Sequence, residues 1–173
     1  MKKNLVLTGM MGVGKSTVGR KLAKKLKFKF SDIDRIIEKK EKATIREIFK
    51  NKKENYFRKI EKEITLEELK KTNLVIALGG GAYMNKTIRK EVKNSAISFF
   101  LDLNLNALLS RLNNVKKRPL LMKDSLKENI NKIYSERKKI YNESAFKIKC
   151  DSMKIDEIVN KIIKLYESSE NTF

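Results

Sequence analysis

The sequence predicts an α/β fold, a three-layer sandwich in which helices cover both faces of a five-stranded parallel sheet. Three observations carry this. Short apolar runs alternate with helix-period stretches along the whole chain. The strongest runs are near-continuous rather than alternating, as strands buried on both faces are. Glycines cluster directly behind two of them, where parallel sheets place their ligand sites.

Taken in order, NLVLTG (4–9) reads as a buried first strand. STVGRKLAKKLK then sets Val18, Leu22 and Leu26 on one helical face. FKFSD (28–32) is a short second strand, followed by SDID as a loop. Thr44 and Glu47 stand at capping-box spacing, so a helix opens there. A long helix spans about 54–71, with Phe57, Ile60 and Ile64 on one side. NLVIALGGG is the third strand with a glycine end, AISFFLDL (96–103) the fourth, and a helix begins over 104–112. The stretch 113–125 has no periodicity and holds the chain's only proline, so it reads as a loop. Ser125 and Glu128 repeat the capping-box spacing ahead of a helix to about Asn142. FKIKC (146–150) is the fifth strand. Ile155, Ile158, Val159, Ile162, Ile163 and Tyr166 mark an amphipathic closing helix. No repeat or linker interrupts the pattern, so 1–173 is expected to be a single domain.

Composition narrows the chemistry. The 173 residues suffice for one compact core. There is no histidine, which excludes His-based catalysis and His-ligated metal; Cys150 is the only cysteine, so there is no disulfide framework or thiolate metal cluster. A lone cysteine without histidine reads as a small core residue. No window approaches the roughly 18 consecutive apolar residues of a membrane span. The Lys-Lys start followed by a short apolar run imitates a signal peptide, but the run is broken by glycine and lacks a small-residue cleavage site. A cytoplasmic location is therefore expected. The net charge of +20 comes from lysines spread over almost every predicted helix, with aromatics at only 8%, so no nucleic-acid partner is expected. Lysines number 33 and arginines 8, which makes each arginine informative, because only arginine supplies a planar bidentate fork.

The first glycine cluster is GMMGVGKST (9–17). Gly9, Gly14, Lys15 and Ser16 complete G-x-x-x-x-G-K-S, with a strand before and a helix after, which is the P-loop pattern in the context it requires. Its glycines let backbone N–H groups converge on a phosphate. Lys15 reaches the outer phosphates and the Ser16 hydroxyl ligates Mg²⁺. Gly12, Val13, Gly14, Lys15, Ser16 and Thr17 are therefore the candidate ATP-binding residues. In SDID, Asp32 and Asp34 point in opposite directions if the segment is extended, one toward the metal and the other toward a second ligand. The second cluster, Gly79–Gly81, is either a backbone that something approaches closely or a flexible turn.

Six stretches in order, GMMGVGKST, SDID, ENYFRKIE, LGGGAY, RLNNVKKRPLL and ERKKIYNESA, resemble the shikimate kinase family over essentially the whole chain. The resemblance implies a P-loop fold of the nucleoside monophosphate kinase type and transfer of the ATP γ-phosphate to the 3-hydroxyl of shikimate, with Mg²⁺ as cofactor and ATP as co-substrate. It implies that Asp34 orients the attacking hydroxyl and that Asp32 supports Mg²⁺ from its outer shell. Arg58 and Arg137 would hold the carboxylate, with Glu61, one helical turn from Arg58, steadying its guanidinium. Phe49 and Phe57 would wall the ring, and Gly79, Gly80 and Gly81 would bring backbone amides to the substrate. Arg111 would stack on adenine, and Arg118, in a lid over 113–125, would swing over the phosphates. The substrate-binding segment would span about 33–61. A monomer is the family expectation. Another small-molecule P-loop kinase, acting on gluconate or a nucleoside monophosphate, is the alternative.

Overall fold

The computed structural model describes residues 3–113 and 126–170. Five strands form one sheet: β1 (Asn4–Thr8), β2 (Lys29–Asp32), β3 (Leu74–Ala77), β4 (Ala96–Asp102) and β5 (Phe146–Lys149). Their order is β2-β3-β1-β4-β5, and every neighbouring pair is parallel. Between them run α1 (Lys15–Leu26), α2 (Ile33–Glu41), α3 (Ile45–Leu69), α4 (Lys86–Ser95), α5 (Leu105–Asn113), α6 (Leu126–Tyr141) and α7 (Ile155–Glu170). Helices α1 and α7 pack on each other and on the sheet, while α3 packs on α2 and α4, and α4 packs on β4.

The apolar runs form the middle of this sandwich. Leu5, Val6, Leu7, Val75, Ile76 and Phe99 are completely buried. At about 1.5–3 kcal/mol per buried large apolar side chain, such residues dominate the driving force for folding. Asn4 is the polar exception in β1. Its amide donates to the Lys71 carbonyl at 2.6 Å and its Oδ1 accepts from Leu74 N at 3.0 Å, stitching the end of α3 to the start of β3.

Two helices exceed what the sequence pattern shows. SDID is not extended: Asp32 ends β2 and caps α2, its carboxylate accepting from Arg35 N at 3.4 Å. Asp34 therefore rides the first helical turn, and the opposite-facing geometry of an extended SDID does not apply. Helix α4 is capped by Asn85, whose Oδ1 accepts from Thr87 N at 2.9 Å and Ile88 N at 3.2 Å. The Thr44–Glu47 capping box forms as expected. It opens α3, whose two parts join through Lys53 at φ 66°, ψ 168°.

The topology fixes where chemistry can sit. β1 lies centrally, with β3 on one side and β4 on the other, and the chain leaves it toward β2 at one edge. Such a switch point opens a crevice at the carboxyl ends of the strands. In register, Asp32 lies level with Ala77 and Ala77 with Leu7. The loop after β1, the start of α2 and the glycines after β3 therefore meet there.

Candidate active site

The loop after β1 closes through three glycines in the left-handed half of φ space: Gly9 at 132°, Gly12 at 82° and Gly14 at 104°. No side chain fits at the first. A Cβ on Gly9 would stand 2.7 Å from the Leu101 carbonyl oxygen of β4. Lys15, at the start of α1, is buried, and its ammonium donates to the carbonyls of Gly9 at 2.8 Å and Met10 at 2.9 Å. The Ser16 hydroxyl donates to Asp32 Oδ2 at 2.5 Å. Arg111 reaches back from α5 and donates to the Val13 carbonyl at 3.0 Å. Thr17 is exposed on the first turn of α1. Helix N-terminus, glycine loop and lysine thus form one polyanion cradle.

Beside this loop lies a cavity of about 450 Å³. Asp34 enters it from α2, Phe49, Phe57, Arg58 and Glu61 from α3, Gly80 and Gly81 from the loop after β3, and Arg137 from α6. Phe49 and Phe57 are in ring contact, with centroids 4.8 Å apart. Arg58 Nη1 donates to Glu61 Oε2 at 2.7 Å. Arg137 Nη1 donates to the Gly80 carbonyl at 2.9 Å. Glu61 is almost wholly buried, and its Oε1 has no hydrogen-bond partner among the described residues. Burial raises its carboxyl above the ordinary 4.5, against the opposing pull of Arg58.

The glycine corner works by omission. A Cβ on Gly79 would stand 2.6 Å from both Asp34 Oδ1 and Glu61 Oε1; one on Gly81 would stand 2.4 Å from Arg58 Nη1. The glycines let two carboxylates and a guanidinium pack against bare backbone. Of the two readings left open for this cluster, close approach is the one seen.

The residues singled out from sequence therefore gather in two adjoining places. Lys15, Ser16, Asp32 and Arg111 surround the glycine loop; Asp34, Phe49, Phe57, Arg58, Gly80, Gly81 and Arg137 line the cavity, with Gly79 behind it. Arg118 and the stretch 114–125 lie outside the described residues. The cavity also takes in Met11, Glu38, Thr44, Ile45 and Arg46, to which no site role was assigned from sequence. Their signal is only that they flank α2 and the Thr44 cap. Cys150 is buried with its thiol pushed up to about 12 by that burial, which fits a core residue.

A phosphate cradle beside a pocket that offers fixed guanidinium groups and a carboxylate defines a P-loop kinase acting on a small molecule. Comparison with known proteins narrows the class. The sequence model of one family, described as Shikimate kinase, matches residues 11–167, and the chain belongs to that family. The shikimate kinase of Sulfurihydrogenibium sp. is 40% identical over 161 residues, covering 93% of this chain and 96% of the relative. A solved shikimate kinase from Acinetobacter baumannii in complex with shikimate superposes with a TM-score of 0.94 at 33% identity, over 98% of this chain and 95% of that one. A gluconokinase from Sinorhizobium meliloti, at 16% identity and a TM-score of 0.60 over 98% of this chain and 97% of its own, shares the fold alone.

Proposed function

We propose that the chain transfers the γ-phosphate of ATP to the 3-hydroxyl of shikimate, giving shikimate 3-phosphate and ADP, within aromatic amino-acid biosynthesis. The observation that carries this is the convergence of Asp34, Arg58 and Arg137 on one cavity beside the glycine loop. A ring bearing one carboxylate and several hydroxyls needs this set: forked cations for the carboxylate, an acceptor for a hydroxyl proton, and apolar walls for the ring.

The roles follow from chemistry. Arg58 and Arg137 hold the carboxylate through charge-assisted hydrogen bonds. Phe49 and Phe57 bear on the ring, and the Gly79–Gly81 backbone meets its polar edge. Asp34 accepts from the attacking hydroxyl and aligns it. Phosphoryl transfer needs little covalent work from the protein, so positioning and charge neutralisation dominate. Gly12, Gly14 and Ser16 offer the ATP phosphates their backbone N–H groups, while Val13 and Thr17, whose N–H groups donate to the Met10 and Gly14 carbonyls at 3.3 and 3.1 Å, complete the ATP-binding loop and hold its shape. Lys15, held on the Gly9 and Met10 carbonyls, neutralises phosphate charge. Arg111 lies against the outer side of this loop, where the nucleotide base is assigned. Arg118 is given the transferring phosphate, and 113–125 the lid, on the resemblance of its RPLL motif.

The Ser16 hydroxyl and the Asp32 carboxylate, hydrogen-bonded at the loop's edge, are the hard oxygen donors that Mg²⁺ takes. They would hold the ion, which when bound neutralises charge on the outer phosphates. The protein is read as a cytoplasmic monomer without nucleic-acid or membrane partners. In support, no described helix is long and apolar enough to cross a membrane. The test is the product. After incubation with Mg·ATP, mass spectrometry should find shikimate carrying one phosphoryl group, and shikimate lacking its 3-hydroxyl should remain unmodified. Phosphorylation of that analogue would refute the assigned acceptor.

A further inference from the structure

Tyr141 closes α6 and is buried. It carries no role in the mechanism above, yet its hydroxyl stands where the two halves of the site meet. It donates to the carbonyl oxygen of Gly80. Arg137 donates to that same oxygen at 2.9 Å, so both lone pairs of one peptide carbonyl are taken. On its other side the hydroxyl lies 4.0 Å from Met10 Sδ, in the phosphate loop. The ring is set against Phe100 of β4, with centroids 5.2 Å apart. Burial pushes the phenol up to about 12, so it remains a donor at any working pH.

Gly80 occupies a commanding place. Its neighbours Gly79 and Gly81 are the backbone against which Asp34, Glu61 and Arg58 lie. A Cβ on Gly80 itself would stand 3.2 Å from Met11 N, so the glycine corner and the phosphate loop touch directly at this residue. Whatever fixes the Gly80 peptide fixes the acceptor corner relative to the donor loop.

We infer that Tyr141 is a positioning residue that couples the two substrate sites: its hydroxyl holds the Gly80 carbonyl against the phosphate loop, so that binding in either site favours binding in the other and sets the distance over which the phosphoryl group moves. This rests on the proposed function. A misplacement of about 1 Å far from the chemistry can cost on the order of 100-fold in rate. Losing one of two donors to a carbonyl is a milder change.

The test is Tyr141→Phe, which keeps the ring on Phe100 and removes only the hydroxyl. Wild-type turnover of shikimate comes first; its absence would refute the proposed function rather than this inference. Given that turnover, the variant should lose about ten-fold in kcat, and its shikimate KM should rise a few-fold. ADP affinity without shikimate should be unchanged. The ratio of shikimate Kd without and with ADP, above one in the wild type, should fall to one. Constants within two-fold of wild type, or an unchanged ratio, would overturn the inference. Should the variant not fold, the wild type labelled at the tyrosine ζ carbon gives a second reading. ADP alone and shikimate alone should each shift the Tyr141 resonance, and silence toward either would overturn the coupling.

Discussion

Arg58 is clasped by Glu54 as well as by Glu61. Its Nε and Nη2 donate to Glu54 Oε1 at 3.1 and 3.0 Å, while Nη1 donates to Glu61 Oε2 at 2.7 Å. Three of the five guanidinium N–H groups are thereby spoken for, and the plane is fixed before a ligand arrives. Arg58→Lys keeps the charge and loses the fork. It should weaken shikimate binding by about 1.5–3 kcal/mol, roughly ten-fold or more in KM. The KM for ATP should not move. Steady-state kinetics with each substrate varied in turn checks this, and an unaltered shikimate KM would remove Arg58 from the acceptor site.

Glu61 gives a pH signature. Its folded-state carboxyl is raised by burial, so the native chain holds a proton that the unfolded chain releases. Stability therefore falls as pH rises through the folded value, and Glu61→Gln removes that loss. Thermal melts should show the variant gaining on the wild type as pH rises above the ordinary carboxyl value of 4.5. A difference that stays flat, or runs the other way, would mean that the Arg58 pairing outweighs burial.

Gly81→Ala tests the bare-backbone corner. The new Cβ would enter the Arg58 guanidinium at 2.4 Å from Nη1. The arginine must swing out, so shikimate KM should rise roughly as far as in Arg58→Lys, by ten-fold or more, since the same charge-assisted contacts are lost. Nucleotide affinity should be preserved, as calorimetry with ADP would show.

Lys53 carries backbone strain. Its φ of 66° with ψ of 168° is a region that only glycine enters freely, and such strain costs about 1–3 kcal/mol. Lys53 is exposed, so Lys53→Gly loses no packing. Stability should increase by about 1 kcal/mol, where glycine inside an ordinary helix is destabilising. Denaturant unfolding measures the sign directly.

The central strands β1, β3 and β4 were legible because strands buried on both faces are written as near-continuous apolar runs. The edge strands β2 and β5, KFSD and FKIK, are more exposed and showed only as short runs, yet all five were located to within one residue at their amino ends. The phosphate loop was legible because its chemistry demands fixed spacing. Helices α2 and α4 were not. Each buries only two residues, Ile33 and Ile37 or Ile88 and Val92, on an otherwise charged surface, too few for a period to show. Their caps, Asp32 and Asn85, were the available signal. Around the cavity, Arg58 and Arg137 stood out against a lysine-rich background. Tyr141 and Glu54 did not, because a hydroxyl on a distant carbonyl and a second carboxylate on a guanidinium are tertiary relationships with no spacing rule.

The central claim is the identity of the acceptor. Coupled ADP release with Mg·ATP, comparing shikimate, gluconate, nucleoside monophosphates and no acceptor, tests it most directly. Turnover should require shikimate, with the other acceptors no faster than the blank. Turnover with gluconate or a nucleoside monophosphate and none with shikimate would leave the P-loop chemistry standing and contradict the acceptor site built from Asp34, Arg58 and Arg137.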